Sequence, residues 1–217
     1  MRTAPHKGGH PGINVCVVTT TRTPTGADTG FRRRLLDGMA ESIRHRGYPE
    51  TTVADIVRAA RTSRRTFYAH FADRQECLVA LLYEVNKRTI DRISAAVDPG
   101  ASWETQARQA IEGWIAAVQA DPPITLSWIR DVPALGQVGA RRFQRETMAA
   151  FVVLIQRLTD TPHLRAAGVR PPSRQTATIL LGGLRELIAV TVEDRRDVEG
   201  IIDSAVDATR LLLGPRP

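Results

Sequence analysis

Between Thr51 and Phe71 the chain reads TTVADIVRAARTSRRTFYAHF, and this run gathers side chains suited to contacting a polyanion. Ser63, Arg64, Arg65, Thr66, Tyr68 and His70 can all donate to phosphate oxygens or base edges. Phe67 and Phe71, four residues apart, predict a short helix pinned to a core by two rings, with the polar set turned outward. From Arg61 to Phe71 there are three arginines and no carboxylate, so this surface meets a polyanion without like-charge repulsion. Val53, Ile56, Val57 and Ala60 recur at helical spacing and mark a preceding short helix. Thr51 or Thr52 caps that helix, where the free amides and hydroxyl could also grip a phosphate. Ser63 supplies the N-cap of the second helix, which begins at Arg64. The pair reads as a helix-turn-helix whose second member is shaped for the major groove; the alternative is an ordinary solvated basic face.

The charge distribution agrees with the first of these. The net charge is +7, divided as +2 over residues 1–28, +4 over 29–76 and +1 over 77–217. A small basic head on a nearly neutral body is the pattern of a nucleic-acid binder. Of the 30 basic residues, 28 are arginine; either bidentate recognition or a GC-rich coding bias accounts for that, and for the body the bias suffices. Cys16 and Cys77 have no metal-ligand spacing, which favours a reduced, cytoplasmic protein. His6 and His10 are four apart, but Lys7-Gly8-Gly9 between them disfavours the helix a metal pair would need, so no metal is expected. No run approaches the roughly 18 apolar residues of a membrane span, and INVCV is too short for a secretory core. There is no Gly-rich phosphate loop, no G-x-S-x-G and no H-E-x-x-H, and the carboxylates are scattered, so catalysis is not expected.

The remaining elements must position this head and give it a body. Residues 1–28 are rich in Gly, Pro and Thr and read as a flexible arm, with Lys7 and Arg22 as weak candidates for backbone contact. Phe31, Leu35, Met39 and Ile43 predict a helix that ends near Gly47. Arg32, Arg33 and Arg34 stand at its expected start, unfavourable to the helix dipole, and either a phosphate or solvent compensates them. Asp73 and Glu76 form a capping box for a long helix reaching Ala96. Beyond Pro99-Gly100, helices are expected over Ser102–Ala120, Ile124–Val132 with Pro133 as a stop, Leu135–Leu158, Ser173–Val192 and Asp197–Leu213, with a loop around Pro162, Gly168, Pro171 and Pro172. No strand pattern occurs. The fold expected is all-α: a three-helix helix-turn-helix domain at 29–76 and a larger helical domain at 77–217.

From Phe31 to Val85 the chain resembles the DNA-binding domain of TetR-family transcriptional regulators. FRRRLLDGMAESIRHRGY, TTVADIVRAA, TSRRTFYAHF and DRQECLVALL carry the resemblance, and Ser63, Thr66, Phe67, Tyr68, His70 and Phe71 match the family's recognition helix. One departure stands out: the family usually has Gly and then an apolar residue where this chain has Arg61 and Thr62. Either that turn is reshaped, or Arg61 adopts the left-handed region while reaching toward a phosphate. The resemblance implies a ligand-responsive regulator, more often a repressor, binding a palindromic operator in double-stranded DNA as a homodimer. Its half-sites would lie roughly 34–36 Å apart. The expected DNA contacts are Thr51, Thr52, Arg61, Ser63, Arg64, Arg65, Thr66, Tyr68, His70 and Arg74, the last in a position that often touches phosphate in such proteins. Trp103, Trp114, Trp128, Phe143, Met148 and Phe151 are the expected lining of a small-molecule effector cavity, with Gln144, Arg145 and Thr147 as polar candidates; otherwise these rings simply fill the core. No cofactor is expected. The last two helices have apolar faces wider than one core stripe needs. By resemblance, Leu180, Gly183, Leu184, Leu187, Ile201, Ile202, Ala205 and Leu212 would meet a twofold mate. Gly182 and Gly183, each costing roughly 1 kcal/mol in mid-helix, suggest a close approach of backbones. The rival readings are an activator or nucleoid-type binder, and a helical small-molecule-binding protein without sequence-specific DNA binding.

Overall fold

The computed structural model describes residues 26–136 and 138–215, and among these no strand occurs. His6, Lys7, His10, Cys16 and Arg22 lie outside the described residues. Helix α1 runs Gly26–Glu50, starting five residues before Phe31. The three arginines therefore sit beyond its first turn, and the dipole argument for a compensating anion does not hold. Arg32 pairs instead with Glu84 at 3.2 Å and Arg33 with Asp37 at 3.7 Å. Leu35, Leu36, Met39 and Ile43 are buried, whereas Phe31 is exposed, with the Arg34 guanidinium 4.5 Å from its ring centre. The helical conformation breaks at Gly47, whose φ of 77° and ψ of 162° suit a residue without Cβ. This break turns Tyr48 into the core.

Helix α2, Val53–Ala59, crosses α1 at Gly38. A Cβ there would stand 2.6 Å from the Ile56 carbonyl oxygen, so glycine is what allows the two backbones to meet. Helix α3 spans Arg64–His70 and α4 spans Arg74–Ala96. Asp73 caps α4 by accepting from the amides of Gln75 and Glu76, while Glu76 reaches past the cap to the Ala72 amide at 2.6 Å. The N-terminal core joins Leu35, Met39, Ile56, Phe67, Phe71 and Leu78 with Ile124, Val132, Ala140 and Phe143 from later in the chain. The expected division between residues 76 and 77 falls inside α4, whose Cys77, Leu78, Leu81 and Leu82 belong to this core. Burial pushes the Cys77 thiol up to about 12.

The body follows. Helix α5 is Trp103–Ala120, capped by the Ser102 hydroxyl, and α6 is Pro122–Leu126, with its prolines at the start where a missing N–H is harmless. The chain then stays helical past the expected stop at Pro133. A wide turn at Ser127–Asp131 lets the Val132 amide reach back five residues to the Ser127 carbonyl, and α7, Val132–Ala134, continues from it. Helix α8 is Val138–Thr159; α9, Pro162–Ala166, is a short helix in the expected loop. Helix α10 is Arg174–Glu193, followed by a tight turn at Val198–Ile201 and α11, Ile202–Leu213. A second core gathers Trp114, Ile115, Phe151, Leu180, Leu184, Ile188 and Val206. Helix α10 is by length and composition apolar enough to cross a membrane, as core helices also can be. It carries Arg185 and Glu186 mid-length, and Leu180, Leu181, Leu184, Ile188 and Ala189 face the chain's own core, as a core helix requires.

Candidate nucleic-acid interface and body cavity

Helix α3 is built as its residue types dictate. The Ser63 hydroxyl accepts from the Thr66 amide at 3.1 Å, fixing the first turn. Phe67 and Phe71 are buried with ring centres 5.8 Å apart, and the Tyr68 ring meets Phe67 edge-on at 5.3 Å. Ser63, Arg64, Arg65 and Tyr68 are exposed, while Thr66 and His70 are half-buried. Among the described residues no carboxylate lies within ion-pair distance of Arg61, Arg64 or Arg65.

The turn before α3 takes the left-handed alternative. Arg61 has a φ of 49°. Its amide donates to the Arg58 carbonyl at 3.2 Å, and the Thr62 amide to the Val57 carbonyl at 2.9 Å, closing the last turn of α2 as a glycine there would. The Arg61 side chain is exposed beside α3.

Two expected phosphate contacts are corrected. Thr51 is fully buried, and its hydroxyl donates to the Gly47 carbonyl at 2.8 Å. Arg74 lies with its guanidinium 4.7 Å from the Tyr48 ring centre, and its Nη1 donates to the carbonyls of Tyr48, Pro49 and Thr51. Both residues hold the corner between α1 and α2. Thr52 is exposed and caps α2: it receives the Asp55 amide and donates amide and hydroxyl to the Asp55 carboxylate. These bonds, with Arg46 at 3.4 Å and Arg58 at 3.1 Å, hold the Asp55 carboxyl below its usual range.

In the body, a cavity of about 80 Å³ lies between α5, α8, α10 and α11. Trp103, Trp114 and Phe151 line it, with Trp114 and Phe151 stacked at 5.6 Å. Trp128 instead lines a separate cavity of about 40 Å³ next to Asn86, Thr89 and Asp121. Phe143 is fully buried in the N-terminal core, edge-on to Tyr83 at 4.7 Å, and lines neither cavity. Met148 packs against the body core outside both. Nor do Gln144, Arg145 or Thr147 reach a cavity; the Thr147 hydroxyl donates to the Phe143 carbonyl at 2.9 Å. The polar residues of the larger cavity are Gln106, Thr159 and Thr209, which the sequence reading missed. Gln106 was detectable as the one amide on the apolar face of α5 shared by Trp103, Ala107 and Ala110.

The expected mate-facing residues divide. Leu180, Leu184 and Ala205 are buried in their own chain, and the two leucines line the cavity, so they are corrected. Ile201 and Ile202 are half-buried against the body core. Gly183, Leu187 and Leu212 are exposed, together with Ile179, Val190 and Leu211. A Cβ at Gly182 or Gly183 would meet nothing within 4 Å among the described residues, so no described part of this chain closes on them.

Residues 35–81 match the family model described as bacterial regulatory proteins, tetR family. No curated protein matches the chain. Among solved structures, the fatty acid degradation regulator FadR from Bacillus halodurans is similar, with a TM-score of 0.70 and 18% identity over 85% of this chain and 99% of its own. A putative TetR-family transcriptional regulator from Rhodococcus sp. has a TM-score of 0.69 and 21% identity, over 84% and 98%. The regulator FadR from Bacillus subtilis, solved in complex with stearoyl-CoA, has a TM-score of 0.70 and 16% identity, over 85% and 99%.

Proposed function

Since the chain carries the N-terminal domain of the TetR family on that family's all-helical fold, we propose that it is a DNA-binding transcriptional regulator controlled by a small molecule held in its C-terminal helices. The observation that carries this reading is α3, an exposed helix whose two arginines meet no carboxylate among the described residues, its orientation fixed by Phe67 and Phe71. In the proposed complex Arg64, Arg65, Thr66 and Tyr68 enter the major groove. Ser63, Arg61, Thr52 and His70 lie toward the phosphates. The chain acts in the bacterial cytosol as a homodimer on a palindromic operator, as a repressor. Its mate covers Ile179, Gly182, Gly183, Leu187, Val190, Leu211 and Leu212, an exposed apolar stripe whose two glycines would let a helix of the mate approach closely. The stearoyl-CoA bound to the B. subtilis regulator supports a small-molecule role for the body.

The test is a gel-shift titration across salt concentrations with a selected operator and with random DNA. Arg64→Ala or Arg65→Ala should lose about 1–3 kcal/mol on the operator at one base position. Arg61→Ala should weaken both DNAs alike and lower the salt slope by about one. Equal losses on both DNAs for Arg64→Ala and Arg65→Ala would reject base reading.

A further inference from the structure

The wall of the larger cavity limits the chemistry of what it can hold. Among the described residues it contains no Lys, Arg, His, Asp or Glu, and its polar side chains other than Trp103 are Gln106, Thr159 and Thr209. The hydrogens of these three are already engaged. Gln106 Nε2 donates to the Pro99 carbonyl at 3.2 Å and the Ala101 carbonyl at 2.8 Å. Two acceptors on one side settle the orientation of that amide, because only its nitrogen can face them. The Thr159 hydroxyl donates to the Ile155 carbonyl at 2.8 Å and the Thr209 hydroxyl to the Ala205 carbonyl at 2.7 Å. What these three leave open are lone pairs. Gln106 is 4% exposed, and its Oε1 accepts no hydrogen bond among the described residues. The Trp103 indole N–H has no partner among the described residues, but it is fully covered beside Gly214, near the end of α11, and presents no surface to a ligand.

Resting on the reading of this cavity as the effector site, we propose that its ligand is an uncharged, mostly apolar molecule whose polar group donates a hydrogen bond, a hydroxyl or phenol, to Gln106 Oε1. An acceptor-only group such as an ether would set lone pair against lone pair. A carboxylate would be buried with no cation to balance it. The ring faces of Trp103, Trp114 and Phe151 favour a flat aromatic body, and a volume of about 80 Å³ limits it to a single ring.

Titration calorimetry of the full chain at neutral pH with phenol, its methyl ether and benzoate separates these cases on one ring system. Phenol should bind about tenfold more tightly than the ether, and benzoate should give no binding heat. Gln106→Leu should bring the phenol-to-ether ratio close to one, a ratio insensitive to partial loss of stability. If that variant does not fold, the wild-type series decides alone. Ala110→Phe, which fills the cavity, should abolish binding of both neutral probes. Benzoate or the ether binding as tightly as phenol would overturn the ligand class and leave the effector-site reading standing. No heat from any probe, or binding untouched by Ala110→Phe, would overturn both.

Discussion

Arg61 holds a backbone conformation that glycine adopts far more readily, and its side chain stands exposed beside the helix proposed to read DNA. Arg61→Gly should therefore stabilise the fold by about 1 kcal/mol, seen as a higher thermal midpoint, while weakening operator and random DNA alike. A midpoint that falls instead would place the side chain's value in the fold. Asp55 gives a pH signature. Its carboxyl is held low first by the Thr52 bonds and then by Arg46 and Arg58. Its folded-state value lies below its unfolded one, so its contribution is complete above the ordinary carboxylate range and is lost as pH falls through the lowered value. Asp55→Asn should flatten the acid limb of a plot of thermal midpoint against pH, and an unchanged limb would reject this account. The residues of α3 were legible because type and spacing alone place Phe67 and Phe71 inward and the arginines outward. Thr51 and Arg74 were not, because the carbonyls that engage Arg74 lie 23 to 26 residues away, and sequence shows only that these residues can donate.

The crossing of α1 and α2 at Gly38 sets the attitude of the helix-turn-helix, and nothing larger fits there. Gly38→Ala places a Cβ against the Ile56 carbonyl, so it should cost about 1–3 kcal/mol, measured by denaturant unfolding, and reduce affinity for every DNA sequence together. A variant of wild-type stability would show that the crossing can open. Helix positions were largely readable from the 3.6-residue period, with caps at Thr52, Ser63, Asp73, Ser102 and Ser173 as their residue types suggest. The wide turn at Ser127–Asp131 was not, since Pro133 ordinarily ends a helix and nothing local signals the extra residue in the turn. On α10 leucines occupy both faces, so the period could not separate Leu180 and Leu184, turned inward, from Leu187, turned outward.

At the scale of the whole molecule, the exposed stripe of α10 and α11 predicts how the protein assembles. Leu187→Glu combined with Val190→Glu should yield a monomer by sedimentation and weaken operator binding by about a hundredfold or more, since two linked heads act at a high effective concentration. A dimer that survives would move the interface elsewhere. Head and body are joined by more than α4: Arg44 donates Nε and Nη2 to the Asp121 carboxylate at 2.9 and 2.7 Å, and Ile124, Val132, Ala140 and Phe143 complete the interior under α1 and α4. A hybrid regulator made by grafting a foreign reading head onto this body would leave those four side chains facing a surface not cut to receive them. Transplants of this kind should succeed only when the cut is drawn along that buried seam and not along the chain.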